Sequence, residues 1–150
     1  MKKLAILPIL AAVLLLSCET VPPLPTPSGK PEAVFAPGVS KKRIVDTLAN
    51  EMLTKGYKIG EFNEYTARFV KHWSTSTYVN GQWVETPGEW RVIFNLVDTP
   101  SGVRCVCTVE HVQWPGSHRE KVDDYSQYGS TSHEYHDMLA RLAANLAPVK

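Results

Sequence analysis

The dipeptide Asn80-Gly81 constrains this chain more than any other local feature. It lies between Tyr78-Val79 and Gln82-Trp83, and Asn-Gly between β-prone residues specifies a two-residue type I′ hairpin, because both central positions need positive φ. If Val79 pairs with Gln82, the register places Phe69 opposite Val92, Ala67 opposite Phe94 and Tyr65 opposite Leu96. Tyr65, Ala67 and Phe69 alternate with Thr66, Arg68 and Val70, while Trp90, Val92, Phe94 and Leu96 alternate with Arg91, Ile93 and Asn95. Both apolar sets therefore share one face, and a slip of one residue would send one of them to the other side. Turn chemistry and hydrophobic period agree on the same pairing. Pro87-Gly88 predicts a bulge or bend in the second strand.

A further turn over 98–102 leads to Val103–Trp114, where Val103, Cys105, Cys107 and Val109 share a face. Pairing Leu96 with Val103 would set them beside the Trp90 to Leu96 series. A polar stretch, 115–129, then reads as a long loop. Helices flank these strands. The first begins at Ser40, a good N-cap, with Val39 and Ile44 as a hydrophobic staple and Gly56 as a left-handed C-cap. Its apolar stripe is Ile44, Val45, Leu48, Met52 and Leu53. The last begins near Thr131, where Thr131 and Glu134 have capping-box spacing, and carries Tyr135, Met138, Leu139, Leu142 and Leu146 until Pro148 stops it. The expected fold is α+β over residues 39–147: a two-layer α-β-β-β-α sandwich, with two helices on one face of an antiparallel three-stranded meander.

The N-terminus carries a different kind of signal. Two lysines precede an uncharged, largely apolar run from Leu4 to Leu16, followed by Ser17 and Cys18. That is the layout of an export signal. The run of 13 residues spans about 20 Å as a helix, against about 30 Å for a bilayer core, so a permanent span is not expected. Leu15-Leu16-Ser17-Cys18 resembles the lipobox of bacterial lipoproteins. The resemblance covers residues 1–18 only and extends to no family for the rest of the chain. It implies a signal peptide over 1–17, acylation of Cys18 as the first mature residue, and a cell-envelope location. Glu19, where an Asp is the usual inner-membrane retention signal of enteric bacteria, leans toward the outer membrane facing the periplasm. Acyl chains contribute about 0.8 kcal/mol per buried methylene, so two or three hold firmly.

Residues 18–38 follow as a lipidated cysteine and a Pro-rich tether, with prolines at 22, 23, 25, 27, 31 and 37. A polyproline-like spacer of that length reaches on the order of 60 Å at about 3.1 Å per residue. Val34-Phe35 is its one apolar pair and a candidate to pack on the domain. Loss of Lys2 and Lys3 with the signal peptide would turn the formal net charge of +1 slightly acidic. Such a balance offers nothing to nucleic acid.

Chemistry-bearing residues are sparse. Cys105 and Cys107 sit two apart on a strand, with Cα atoms roughly 6.5–7 Å apart, at the limit of disulfide geometry. Buried thiols are the simpler reading, and a bulge-assisted or intermolecular disulfide the other. His133 and His136 at i and i+3 could share a metal with His118, the basis of an alternative reading as a metal-binding protein or metal-assisted hydrolase. Solvated first-turn histidines are the simpler account. No nucleophile–base pair, phosphate loop or cofactor motif is present, so no enzyme activity, cofactor or metal is expected.

The face away from the expected helices carries Arg68, Val70, Arg91, Ile93, Arg104 and Val106, a mixed surface of the kind enriched at interfaces. The two registers group it into the rows Thr66-Asn95-Arg104, Arg68-Ile93-Val106, Val70-Arg91-Thr108 and His72-Glu89-Glu110. The hairpin tip adds Trp73, Tyr78 and Trp83, with Tyr78 opposite Trp83. The expected function is a non-catalytic, lipid-anchored protein-interaction module of the envelope. Its partners would be the membrane, through Cys18, and an unidentified envelope protein.

Overall fold

The elements run β1 (Glu32–Phe35), α1 (Lys41–Thr54), β2 (Lys58–Phe62), β3 (Thr66–Val79), β4 (Gln82–Thr99), β5 (Gly102–Gln113), β6 (Lys121–Asp124) and α2 (Gly129–Leu146) in the computed structural model. It describes residues 24–147, so the expected signal peptide over 1–17, Cys18 and Pro148 lie outside the described residues. The fold is α+β. Strands β2, β3, β4 and β5 are consecutive neighbours, and β1 and β6 both pair with the far edge of β5, every pairing being antiparallel. The expected three-stranded meander is therefore only the centre of a six-stranded sheet.

The Asn-Gly turn sets the hairpin as its chemistry dictates. Asn80 and Gly81 have φ of 50° and 84°, and the register runs from Val79↔Gln82 to Thr66↔Asn95 without a break. The bulge expected at Pro87-Gly88 is absent, since Ser74↔Pro87 and Trp73↔Gly88 stay in step. The Pro87 carbonyl accepts from the Trp114 N–H at 2.9 Å, so it points toward β5 rather than β3. In a strand the N–H and C=O of one residue point the same way, so the donor that proline lacks would also have faced β5, where pairing ends at Gly88↔Gln113. Gly88 answers to a side chain instead. A Cβ there would lie 2.2 Å from the Trp73 indole, which crosses it to stack on His111.

The second register differs from the expected one. Leu96 pairs with Cys105, not Val103, because the strands continue to Thr99↔Gly102 and close on Pro100-Ser101. The Thr99 hydroxyl donates to the Gly102 carbonyl at 2.8 Å across this tight turn. A glycine is required at 102, where φ is 128° and a Cβ would meet the Phe35 carbonyl at 1.9 Å. The shift of two residues leaves Val103, Cys105, Cys107 and Val109 on the buried face but changes every row across the sheet.

Helix α1 begins as expected: Ser40 Oγ accepts from the Arg43 N–H, and Val39 and Ile44 are both buried. At its end Gly56 (φ 81°) donates to the Leu53 carbonyl and Tyr57 to that of Met52, the paired bonds of a Schellman cap. Leu53 is exposed, and Ala49 takes its place in the stripe. Helix α2 starts earlier than expected, after Tyr128, with no side-chain cap. The Thr131–Glu134 box does not form, and Glu134 instead reaches Lys55. Tyr135, Met138, Leu139, Leu142 and Leu146 are buried as the pattern demands. The buried residues of both helices join Phe35, Ala67, Phe69, Val92, Phe94, Leu96 and the β5 series in one cluster.

Part of the expected tether is folded. Glu32–Phe35, inside the span 18–38, is strand β1, Phe35 is fully buried, and Leu24 and Pro31 are buried as well. Between β1 and β6 the edge of β5 is stitched rather than open. The Cys107 N–H donates to the Pro31 carbonyl at 2.8 Å, Val109 N–H to Ser126 Oγ at 2.8 Å, and Tyr125 N–H to the Val109 carbonyl at 2.7 Å.

Candidate functional site

Two places on this scaffold could meet another molecule. One is the outer part of the β3–β4 hairpin. Strand β5 leaves β4 at Gly88, and β2 leaves β3 at Val70, so among the described residues Thr75–Val79 and Gln82–Thr86 pair only with each other. At about 3.4 Å per residue this arm projects about 20 Å. Its sequence, rich in Ser and Thr, buries almost nothing, and Tyr78 and Trp83 remain 60% and 72% exposed despite facing each other at 5.2 Å between ring centroids. Trp73, grouped with them on the sequence, belongs elsewhere. It is half-buried at the base of the arm, parallel to His111 at 4.8 Å, and His111 in turn touches Trp90 and Tyr125. The arm is thus rooted in an aromatic stack, with Gly88 as the gap that admits it.

The sheet face opposite the buried cluster presents corrected rows. These are Thr66–Asn95–Val106, Arg68–Ile93–Thr108, Val70–Arg91–Glu110 and His72–Glu89–Val112. Val70, Ile93 and Val106 are half-buried there, and Arg68, paired across to Glu61, keeps its Nε without a partner among the described residues. The other two arginines are engaged. Arg91 bonds Glu89 and forks onto Glu120 with Nη1 at 3.1 Å and Nη2 at 3.4 Å. Glu120 also accepts from the Gly116 N–H at 2.6 Å, drawing the 114–120 loop back, and Glu89 and Val112 are buried. Arg104 reaches Glu32 on β1 at 2.6 Å. For Glu32, burial works against the charge, but the Ser28 hydroxyl and the Arg104 guanidinium outweigh it and hold the carboxyl below its usual range. His72 lies 3.5 Å from Glu89, while Glu110 pairs with Arg91 rather than completing the expected acid/base row.

The metal reading gains nothing from the geometry: among the described residues no group of three His, Cys, Asp or Glu is placed to hold an ion, so His118, His133 and His136 are not assembled. His133 Nδ1 instead lies 3.1 Å from the Gly129 carbonyl. Cys105 and Cys107 are free and fully buried, and burial pushes the Cys105 thiol up to about 12 and Cys107 upward too. Such thiols are packing groups, not nucleophiles.

The second place was invisible in the sequence. Beyond the row Phe69–Val92–Val109 the helices stop while the sheet continues, leaving a cavity of about 340 Å³. Trp90 and Val109 line it from the sheet, Lys55 and Tyr57 from the end of α1, Lys71 from β3, and Thr131, Glu134 and Tyr135 from the start of α2. The Tyr135 hydroxyl donates to that of Tyr57 at 2.9 Å, and burial raises both tyrosines, which therefore stay protonated. Lys55 is paired with Glu134 at 2.5 Å. Lys71 donates to the Lys55 carbonyl at 3.0 Å, stands 5.6 Å from the Tyr57 ring centroid, and forms no ion pair among the described residues. No local motif marks this set, because its members come from β3, β4, β5, α2 and the end of α1.

Comparison with known protein families, with curated proteins and with solved structures returned no match. Among the described residues no helix is long and apolar enough to cross a membrane.

Proposed function

We propose that the protein is a lipid-anchored envelope lipoprotein, held through acylated Cys18 and facing the periplasm, with the outer membrane as its preferred site. It acts as a non-catalytic protein-interaction module. Its domain is a two-layer sandwich in which both helices cover one face and the outer hairpin presents the docking residues. The observation that supports this best is the arm itself: two strands with no third neighbour among the described residues, ending in an exposed Tyr78–Trp83 pair. Exposed aromatics on a preformed strand pair lose little conformational freedom on binding, which is why Tyr and Trp dominate interface hot spots. The cavity beside Trp90 is independent of this role.

A photo-crosslinking amino acid at position 83, compared with the exposed position 50 on α1, tests the reading in living cells. A discrete adduct from position 83 alone is expected. Incorporation of a palmitate analogue into the wild-type protein but not into Cys18→Ser is the second expected result. Equal adduct patterns from both positions would remove the arm as the docking element, and labelled Cys18→Ser would remove the anchor. Arg91 is left in place in these experiments, since its loss would strand Glu89, only 7% exposed, without its guanidinium.

A further inference from the structure

We propose that the cavity between Trp90 and Lys71 binds a small carboxylate whose body is flat and apolar, an aromatic acid being the simplest case. The size is right for a compact ligand: about 340 Å³ lies near the lower end of the about 300–1,000 Å³ typical of small-molecule sites.

Charge then narrows the class. Two ammonium groups line the space, and one is neutralised by Glu134. The remaining Lys71 supplies a single positive charge, which suits a monoanion, whereas a doubly charged phosphate would have to face the Glu134 carboxylate. Lys71 is also held in place. One of its N–H groups is committed to the Lys55 carbonyl, its ammonium stands against Tyr57, and two N–H groups remain to donate. Tyr57 accepts from Tyr135, so its own hydroxyl proton is free to donate as well. A carboxylate between Lys71 and Tyr57 would receive charge-assisted hydrogen bonds from both.

The apolar requirement comes from the sheet side. Trp90 and Val109 line that wall, and the indole is fixed from behind by His111 at 4.7 Å and Tyr125 at 5.4 Å between centroids. A rigid aromatic surface of this kind favours an offset-stacked or edge-on ring. Anion donors on one wall and a braced indole on the other thus specify both ends of the ligand.

The test uses the full-length protein in detergent micelles with labelled tryptophan, whose indole N–H signals report Trp73, Trp83, Trp90 and Trp114 separately; Trp90→Phe assigns the key one. Titration with benzoate is expected to shift the Trp90 signal saturably and leave Trp83 unmoved. Benzamide, the neutral analogue, and inorganic phosphate are each expected to bind at least about tenfold more weakly, as the loss of one charge-assisted hydrogen bond implies. Lys71→Gln is expected to weaken benzoate by a similar factor with an unchanged melting temperature, and Tyr57→Phe to weaken it by less. A stationary Trp90 signal, equal binding of benzamide or phosphate, or full affinity in Lys71→Gln would each overturn the proposal. Should Lys71→Gln fail to fold, full benzoate affinity in Tyr57→Phe would overturn it in the same way.

Discussion

The inner and outer halves of the β3–β4 hairpin share one turn, one register and one pair of strands, yet they are different materials. In the inner half Ala67, Phe69, Val92 and Phe94 lie under α1 and α2 and are fully buried. In the outer half, from Ser74↔Pro87 to Val79↔Gln82, nothing among the described residues covers either side and nearly every residue is exposed. The β3–β4 register is the same in both, but only the inner half is also paired on its outer edges, with β2 and β5. What differs is this flanking and the helical cover, and with them the source of stability: apolar burial inside, cross-strand side-chain pairs outside. A strand pair without a third neighbour opens at lower free energy than the core it springs from.

The sharpest way to break this contrast is at its buried end. Phe94→Ala is expected to destabilise the whole domain by about 3–5 kcal/mol, read from urea denaturation, because it empties a site packed against Phe69 and Tyr135. At the junction, Gly88→Val is expected to cost about 1–3 kcal/mol by expelling the Trp73 indole from its place on His111. Its signature is a moved Trp73 indole signal and faster hydrogen exchange in the arm, with core amides unchanged. An arm that stayed protected would show that the aromatic root is dispensable.

Acid probes the far edge of the same sheet. For Asp124, burial works against the charge, but bonds from Ser126 and the Lys30 ammonium outweigh it, so its carboxyl, like that of Glu32, titrates below its usual range. A depressed folded-state pKa adds stability above the ordinary values of 4.5 for Glu32 and 3.8 for Asp124, and that stability is lost as pH falls through the lower folded values. Stability should therefore decline on acidification below about those values, with β1 exchanging first. A Glu32→Gln, Asp124→Asn double variant should be less stable at neutral pH and show a flatter pH profile. The smallest effect is expected at the tip: Tyr78→Ala should cost only about 0.2–1 kcal/mol and leave the urea midpoint nearly unmoved, while weakening the adduct formed from the crosslinker at position 83.

What could be read from the chain follows the same division. The hairpin register was legible because Asn80-Gly81 and the alternation around Phe69 and Phe94 are independent signals of one geometry. The β4–β5 register was legible only to within two residues, since a period-two pattern fixes the face of Cys105 and Cys107 but not their partners. Strand β1 was hidden by the prolines around Glu32–Phe35. Strand β2 was hidden because Lys58–Phe62 is an exposed edge, where Gly60 shifts the register and no alternation survives. Strand β6 is short and polar, and gains its meaning only from the Glu110–Gln113 edge of β5 with which it pairs. The interaction residues fared unevenly for the same reason: Tyr78 and Trp83 depend on the local turn, whereas Arg91 and Arg104 are claimed by Glu120 and Glu32 from distant segments.

The burial of Leu24 changes the mechanics of a chain held at Cys18. Only residues 19–23 would then separate the lipid from the folded domain, and fully extended they span on the order of 20 Å. On the proposed anchoring, such a leash would be too short to let the domain search the periplasm. The domain would ride against the headgroups, its positions confined to a shallow shell, and its effective concentration at the bilayer surface would be correspondingly high. Reach would then pass from the tether to the arm, a stiff lever about as long as the leash that would sweep the space beyond the domain whenever the body tilts.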